Sequence, residues 1–97
     1  ELEDISGIAF SNISIGDTYV AMKDYAKAKP YIFKGFQWAK ETGELDLMRD
    51  AYEAMYNYHD RTGDKKQALE NYKLFVAYND SVNNEETTKE TTRDQMN

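Results

Sequence analysis

Asp24-Tyr25-Ala26-Lys27-Ala28 and Asp64-Lys65-Lys66-Gln67-Ala68 stand 40 residues apart (24 to 64), each behind an amphipathic stretch and ahead of an aromatic-rich one. The same shift pairs Ile5 with Leu45, Ile8 with Met48, Ile15 with Met55, Ile32 with Tyr72, Phe36 with Val76 and Trp38 with Tyr78. A fixed period of this length marks a stacked helical array, whose units cannot bury their apolar faces alone. Such arrays mostly work by offering a surface to a partner. The repeat therefore predicts a binding scaffold.

Working outward from those segments gives four helices. The first is expected from about Leu2 to Met22, with Ile5, Ile8, Asn12, Ile15, Tyr19 and Met22 at steps of three or four. Lys23-Asp24 interrupts it, and Asp24 is a good N-cap because its carboxylate can accept an orphan backbone N–H. The second helix, about Tyr25 to Glu41, stops at Thr42-Gly43, where glycine tolerates the left-handed C-cap. Pro30 lies inside it, forfeits the bond to the Ala26 carbonyl, and is expected to bend the first turns. The apolar pattern continues past it through Ile32, Phe36 and Trp38.

A third helix is expected over about Glu44 to Arg61, with Met48, Ala51, Tyr52, Met55, Tyr58 and His59 as its buried stripe. Gly63-Asp64 repeats the stop and cap. The fourth runs from Lys65 to roughly Tyr78, with Ala68, Leu69, Tyr72, Phe75 and Val76 inward. After Asp80 the composition changes: Ser81 to Asn97 holds only Val82 and Met96 as apolar residues. The expected organisation is two hairpins over residues 1–80 (1–43 and 44–80), then a polar tail, 81–97, as connecting helix or linker.

Composition narrows the function classes. The 97 residues suit one small domain or a piece of a larger protein, and the opening Glu1 with the polar closing run reads as a fragment. Eight Tyr, four Phe and one Trp can furnish a core if the helices stack. Eighteen acidic residues face 12 basic ones, for a net charge of -6. Nucleic-acid binders carry a basic stripe that neutralises phosphates, and none is visible, so neither nucleic acid nor an anionic membrane surface is the expected partner. Without cysteine there is no disulfide, thiolate nucleophile or cysteine-ligated metal. No signal peptide or membrane-length apolar run is present.

Two antiparallel helices, a short Gly-Asp or Lys-Asp turn, and a small residue early in the second helix resemble the tetratricopeptide repeat. Ile15-Gly16 with Tyr19, then Asp24-Tyr25 and Ala28, match that family's signature in the first unit. The glycine and alanine are small because neighbouring helices approach closely there, while the tyrosine fills the space between them. Tyr52, Met55, Gly63-Asp64, Ala68 and Tyr72 match in the second, where Tyr56 stands in place of the usual small residue and His59 in place of Tyr. Those departures predict looser packing in the second unit. The period exceeds the family's common repeat of about 34 residues and resembles its extended variant with longer helices. The resemblance implies an all-α fold of antiparallel helical hairpins stacked into a short right-handed α-solenoid. Residues 72 to 96 are also similar to the end of the repeat region in bacterial sensor proteins of the Bacteroidetes type. In those, the array is followed by a connecting helix, a membrane span and a kinase, cyclase or DNA-binding output domain.

In a repeat of this type the first helix of each pair lines a concave groove. By helical phase its residues here would be Phe10, Ile13, Asp17 and Val20, then Asp50, Glu53, Asn57 and Asp60. The groove would be apolar at one end and acidic at the other. Only Asn57 suits a clamp for a peptide's C-terminal carboxylate; a basic or amphipathic helical segment suits the surface better. Trp38, Phe33, Tyr31 and Tyr78 are candidates for an exposed aromatic patch, although core packing is the expected role of Trp38 at the end of the second helix, and exposed repeat ends predict self-association by end-to-end stacking or exchange of the terminal helix.

Catalysis has little foothold. His59 is the only histidine and sits on an apolar stripe, where a packed side chain replacing Tyr is the expected role. No Glu-x-x-His, nucleophile–base pair or Gly-rich phosphate loop is present, so no enzyme activity, cofactor or metal is expected. The expected function is a protein- or peptide-binding sensing module, the input region of a bacterial signal-transduction protein. The alternative is a stand-alone adaptor or assembly scaffold. A periplasmic location follows from the sensor reading and a cytoplasmic one from the adaptor.

Overall fold

The computed structural model describes residues 4–96, with side chains through residue 84. Within that range the chain is all-helical: α1 (Ile5–Ala21), α2 (Tyr25–Thr42), α3 (Leu45–Thr62) and α4 (Lys65–Met96). Leu2, where the first helix was expected to begin, lies outside the described residues, as do Asn97 and the side chains from Glu85 onward.

Each helix boundary has a local cause. Asp4 caps α1 by accepting the Gly7 N–H at 2.9 Å, and Asp24 caps α2 by accepting the Lys27 N–H at 3.3 Å. Gly43 ends α2 in the left-handed conformation, φ 69°, with its N–H donating to the Ala39 carbonyl. The turns inside the two hairpins share one hydrogen-bond pattern. Lys23 N–H donates to Val20 O and Asp24 N–H to Tyr19 O; 40 positions on, Gly63 donates to Asp60 O and Asp64 to His59 O. This is the Schellman arrangement, which needs a left-handed residue after the helix. Gly63 supplies it freely at φ 94°, whereas Lys23 adopts it at φ 65° with a Cβ in the way.

α1 packs on α2 and α3 on α4; α3 also touches both helices of the first hairpin. The first hairpin closes tightly because two glycines let the backbones meet. A Cβ on Gly35 would lie 2.7 Å from Ile13 Cγ1 and 3.0 Å from the Ile13 backbone nitrogen, and one on Gly16 would run into Ile32. Ile32 is 0% exposed at the centre of this contact, with Ala9, Ile13, Val20, Ala28 and Ala39 buried around it. Aromatic side chains join the hairpins: Phe36 meets Tyr52 edge-on at 5.1 Å, and Phe33 meets Tyr58 at 5.9 Å and His59 at 6.2 Å. In the second hairpin Tyr52 stacks on Tyr78 at 5.4 Å, while Ala68, Asn71 and Val82 are buried. The Asn71 amide donates to the Gln67 carbonyl, so its burial leaves no orphan donor.

Several expectations need correction. The inward face of α1 is Ala9, Ile13, Gly16 and Val20; Ile15 and Met22, expected in the core, are exposed. The small residues win that face because they allow α2 the closest approach, which period counting does not weigh. On α4, Ala68 is buried but Leu69, Tyr72 and Val76 are exposed. Phe33 and Tyr78 pack partly buried against the core and Tyr31 stacks on Tyr19 at 5.8 Å, so they form no exposed patch, and Trp38 packs against the core as expected. α2 runs through Pro30 as one helix, as its apolar pattern implied. α4 does not stop near Tyr78 but continues through the compositional change at Asp80 to Met96.

Candidate functional site

Of the eight groove residues expected from helical phase, the structure brings together three acids from two helices. Asp17 projects from α1, and Asp50 and Glu53 from α3. Ile13 and Val20 are not on this surface; they are buried in the hairpin core, since α2 covers the side of α1 that phase alone assigned to a partner. Phe10 stays available at 58% exposed, two helical turns before Asp17 on the same side of α1. Asn57 is half-buried. Asp60 lies elsewhere, in an ion pair with Lys65 at 3.1 Å.

The electrostatics of the three acids are uneven. Asp17 has its carboxyl pushed up from 3.8 to about 6. The larger cause is desolvation where α1 and α3 crowd the carboxylate, and the negative charges of Glu53 and then Asp50 add to it. Its side chain nonetheless keeps an open edge to solvent. Asp50 is partly neutralised by Arg49, whose Nε donates to it at 3.1 Å. Glu53 is exposed. This surface is an acidic patch on the same side of α1 as an exposed phenyl ring, chemistry that favours an incoming cation with apolar neighbours.

Two other concavities flank the hairpins. One, about 500 Å³, runs along the outer side of α1, lined by Asp4, Gly7, Ile8, Ser11, Asn12 and Ile15. The other, about 320 Å³, opens between α3 and α4 and is lined by Tyr56, Asp60, Lys65, Ala68, Leu69 and Tyr72. Its walls include Tyr56 and Tyr72, which stand where Gly16 and Ile32 stand in the first hairpin, their rings 5.0 Å apart. Tyr in a small-residue position was the sequence signal for this groove. The α1 groove was missed because its residues were read as core.

His59 is packed among Phe33 and Tyr58, with Nδ1 4.0 Å from an Asp64 carboxylate oxygen. Among the described residues no cluster of three or more His, Asp or Glu side chains could hold a metal ion, and no helix is long and apolar enough to cross a membrane. Comparison with known proteins finds no matching family model, no significantly similar curated protein and no significantly similar solved structure.

Proposed function

We propose that the chain is a protein-binding module of the tetratricopeptide type, its two hairpins stacked as a short right-handed α-solenoid. Its α1–α3 surface takes a basic, amphipathic helical segment. The observation that carries this reading is the convergence of Asp17, Asp50 and Glu53 from two first-of-pair helices, with the Asp17 carboxyl raised to about 6. Such a carboxylate gains from a Lys or Arg brought beside it, because the cation offsets both the desolvation and the repulsion. Phe10 gives the same partner an apolar contact. The partner's charges steer its approach, and its apolar face holds it.

Titration of a lysine-rich amphipathic peptide into the protein by calorimetry, at low and at high salt, tests the reading. Binding that weakens with salt and falls at least about tenfold in the Asp17→Asn, Asp50→Asn, Glu53→Gln triple variant is the expected result. Equal affinity for wild type and triple variant overturns it.

The sensing part of the proposal rests on α4. A helix continuous from Lys65 to Met96 can carry a displacement at the hairpins beyond them, as a connector to an output domain would need. Thr88→Pro, placed within that continuation, should uncouple input from output in the intact parent protein. Unchanged signalling by that variant would leave the adaptor or scaffold role instead.

A further inference from the structure

Every large hydrophobic side chain that is exposed among the described residues sits on α1, on its C-cap Met22, or on α4; α2 and α3 expose none. The chain's own repeat says what covers such faces. On α3, Leu47, Met48 and Ala51 are buried and Tyr52 and Met55 pack against the core. Forty positions earlier, Gly7, Ile8, Ser11, Asn12 and Ile15 form the open groove on α1. The complementary half behaves the same way. Phe36 of α2 is partly buried against Tyr52, while its equivalent on α4, Val76, is exposed.

We infer that this protein associates head to tail with further copies of itself, the outer face of α4 on one copy docking in the α1 groove of the next. The contact repeats, between molecules, the α2–α3 junction found within each one. Val76 takes the place of Phe36 and meets Asn12 and Ile15 where Phe36 meets Tyr52. Lys73 takes the place of Phe33 and brings its apolar stem and ammonium against Tyr19, the counterpart of His59. Docking faces that differ make a heterologous contact, which does not close on itself and grows into an open chain. The central aromatic pair of the internal junction has become Val76 and Asn12, so the intermolecular copy is weaker. This surface is separate from the acidic α1–α3 surface, and either proposal can fail without the other.

Sedimentation velocity over a concentration series of the 97-residue chain is the test. For wild type the weight-average sedimentation coefficient should climb without a plateau between about 10 µM and about 1 mM, the range of a weak contact. Ile15→Glu blocks only the groove and Val76→Glu only the α4 face, so each alone should stay monomeric. Mixed in equal amounts, they should form a dimer and stop there, because one intact groove meets one intact α4 face. Both positions are exposed, and circular dichroism should show unchanged helicity in each variant. A wild type that is monomeric throughout overturns the inference. So does a wild-type plateau at dimer, the mark of a two-fold contact, or a mixture that remains monomeric.

Discussion

The two hairpins share a turn geometry and a period but close on different principles. In the first, Gly16 and Gly35 bring α1 and α2 to backbone contact around Ile32, and the interface is small side chains locked against branched ones. In the second, the equivalent positions are Tyr56, Phe75 and Tyr72; Tyr56 and Tyr72 meet ring to ring at 5.0 Å and line an open groove between α3 and α4. Close packing at density near that of organic crystals penalises loss of volume in the first hairpin. The second has space to relax. One sequence motif, used twice, gives a closely packed unit followed by one with an open groove, and the latter carries the long helix.

Removing the central side chain of each hairpin should give the largest contrast. Ile32→Ala leaves a cavity among atoms that cannot close over it and should destabilise the protein by about 3 to 4 kcal/mol. Tyr72→Ala, from a residue 43% exposed, should cost only about 1 kcal/mol. Urea denaturation of both variants measures the difference, and equal losses would mean that the two hairpins are packed alike.

A smaller effect comes from the surface between the hairpins. Because the folded-state pKa of Asp17 is raised, the native state holds its proton in the window from about 4 to about 6 where the unfolded chain has released it. Stability from this group therefore falls as pH rises through that window and is lowest above it. Asp17→Asn should raise the melting temperature at pH 7.5, and the gain should shrink as pH falls through about 6 and vanish by about pH 3, below both pKa values. The same substitution should weaken binding of a basic peptide, the exchange expected where a strained site serves recognition. A melting-temperature gain independent of pH would place the strain elsewhere.

The smallest effect concerns the matched turns. Lys23→Gly relieves a left-handed residue and should stabilise the fold by about 0.5 to 1 kcal/mol. Gly63→Ala imposes the strain that Lys23 already bears and should destabilise by about 1 to 2 kcal/mol. Thermal melts of the pair decide whether the two turns are as equivalent as their hydrogen bonds imply.

Much of the fold was legible beforehand, for identifiable reasons. Asp24, Gly43 and Gly63 mark helix ends through local chemistry that involves only a few neighbouring backbone groups, so the sequence alone determined where the helices α1 to α3 stop and that the pattern repeats every 40 residues. Tyr56 in a small-residue position foretold looser packing in the second hairpin. What only the tertiary structure decided is which of two apolar stripes on a helix turns inward. α1 carries both Ile8–Ile15 and Ala9–Ile13–Gly16–Val20; hydrophobicity favours neither decisively, and the choice falls to the stripe that lets two backbones approach within contact of Ile32 and Ile13. That choice buried two residues read as partner-facing, exposed two read as core, and set Asp17 against acids 33 and 36 residues later in the chain (Asp50 and Glu53). Proximity across such a separation has no local signature. It arises only when α3 packs against both helices before it.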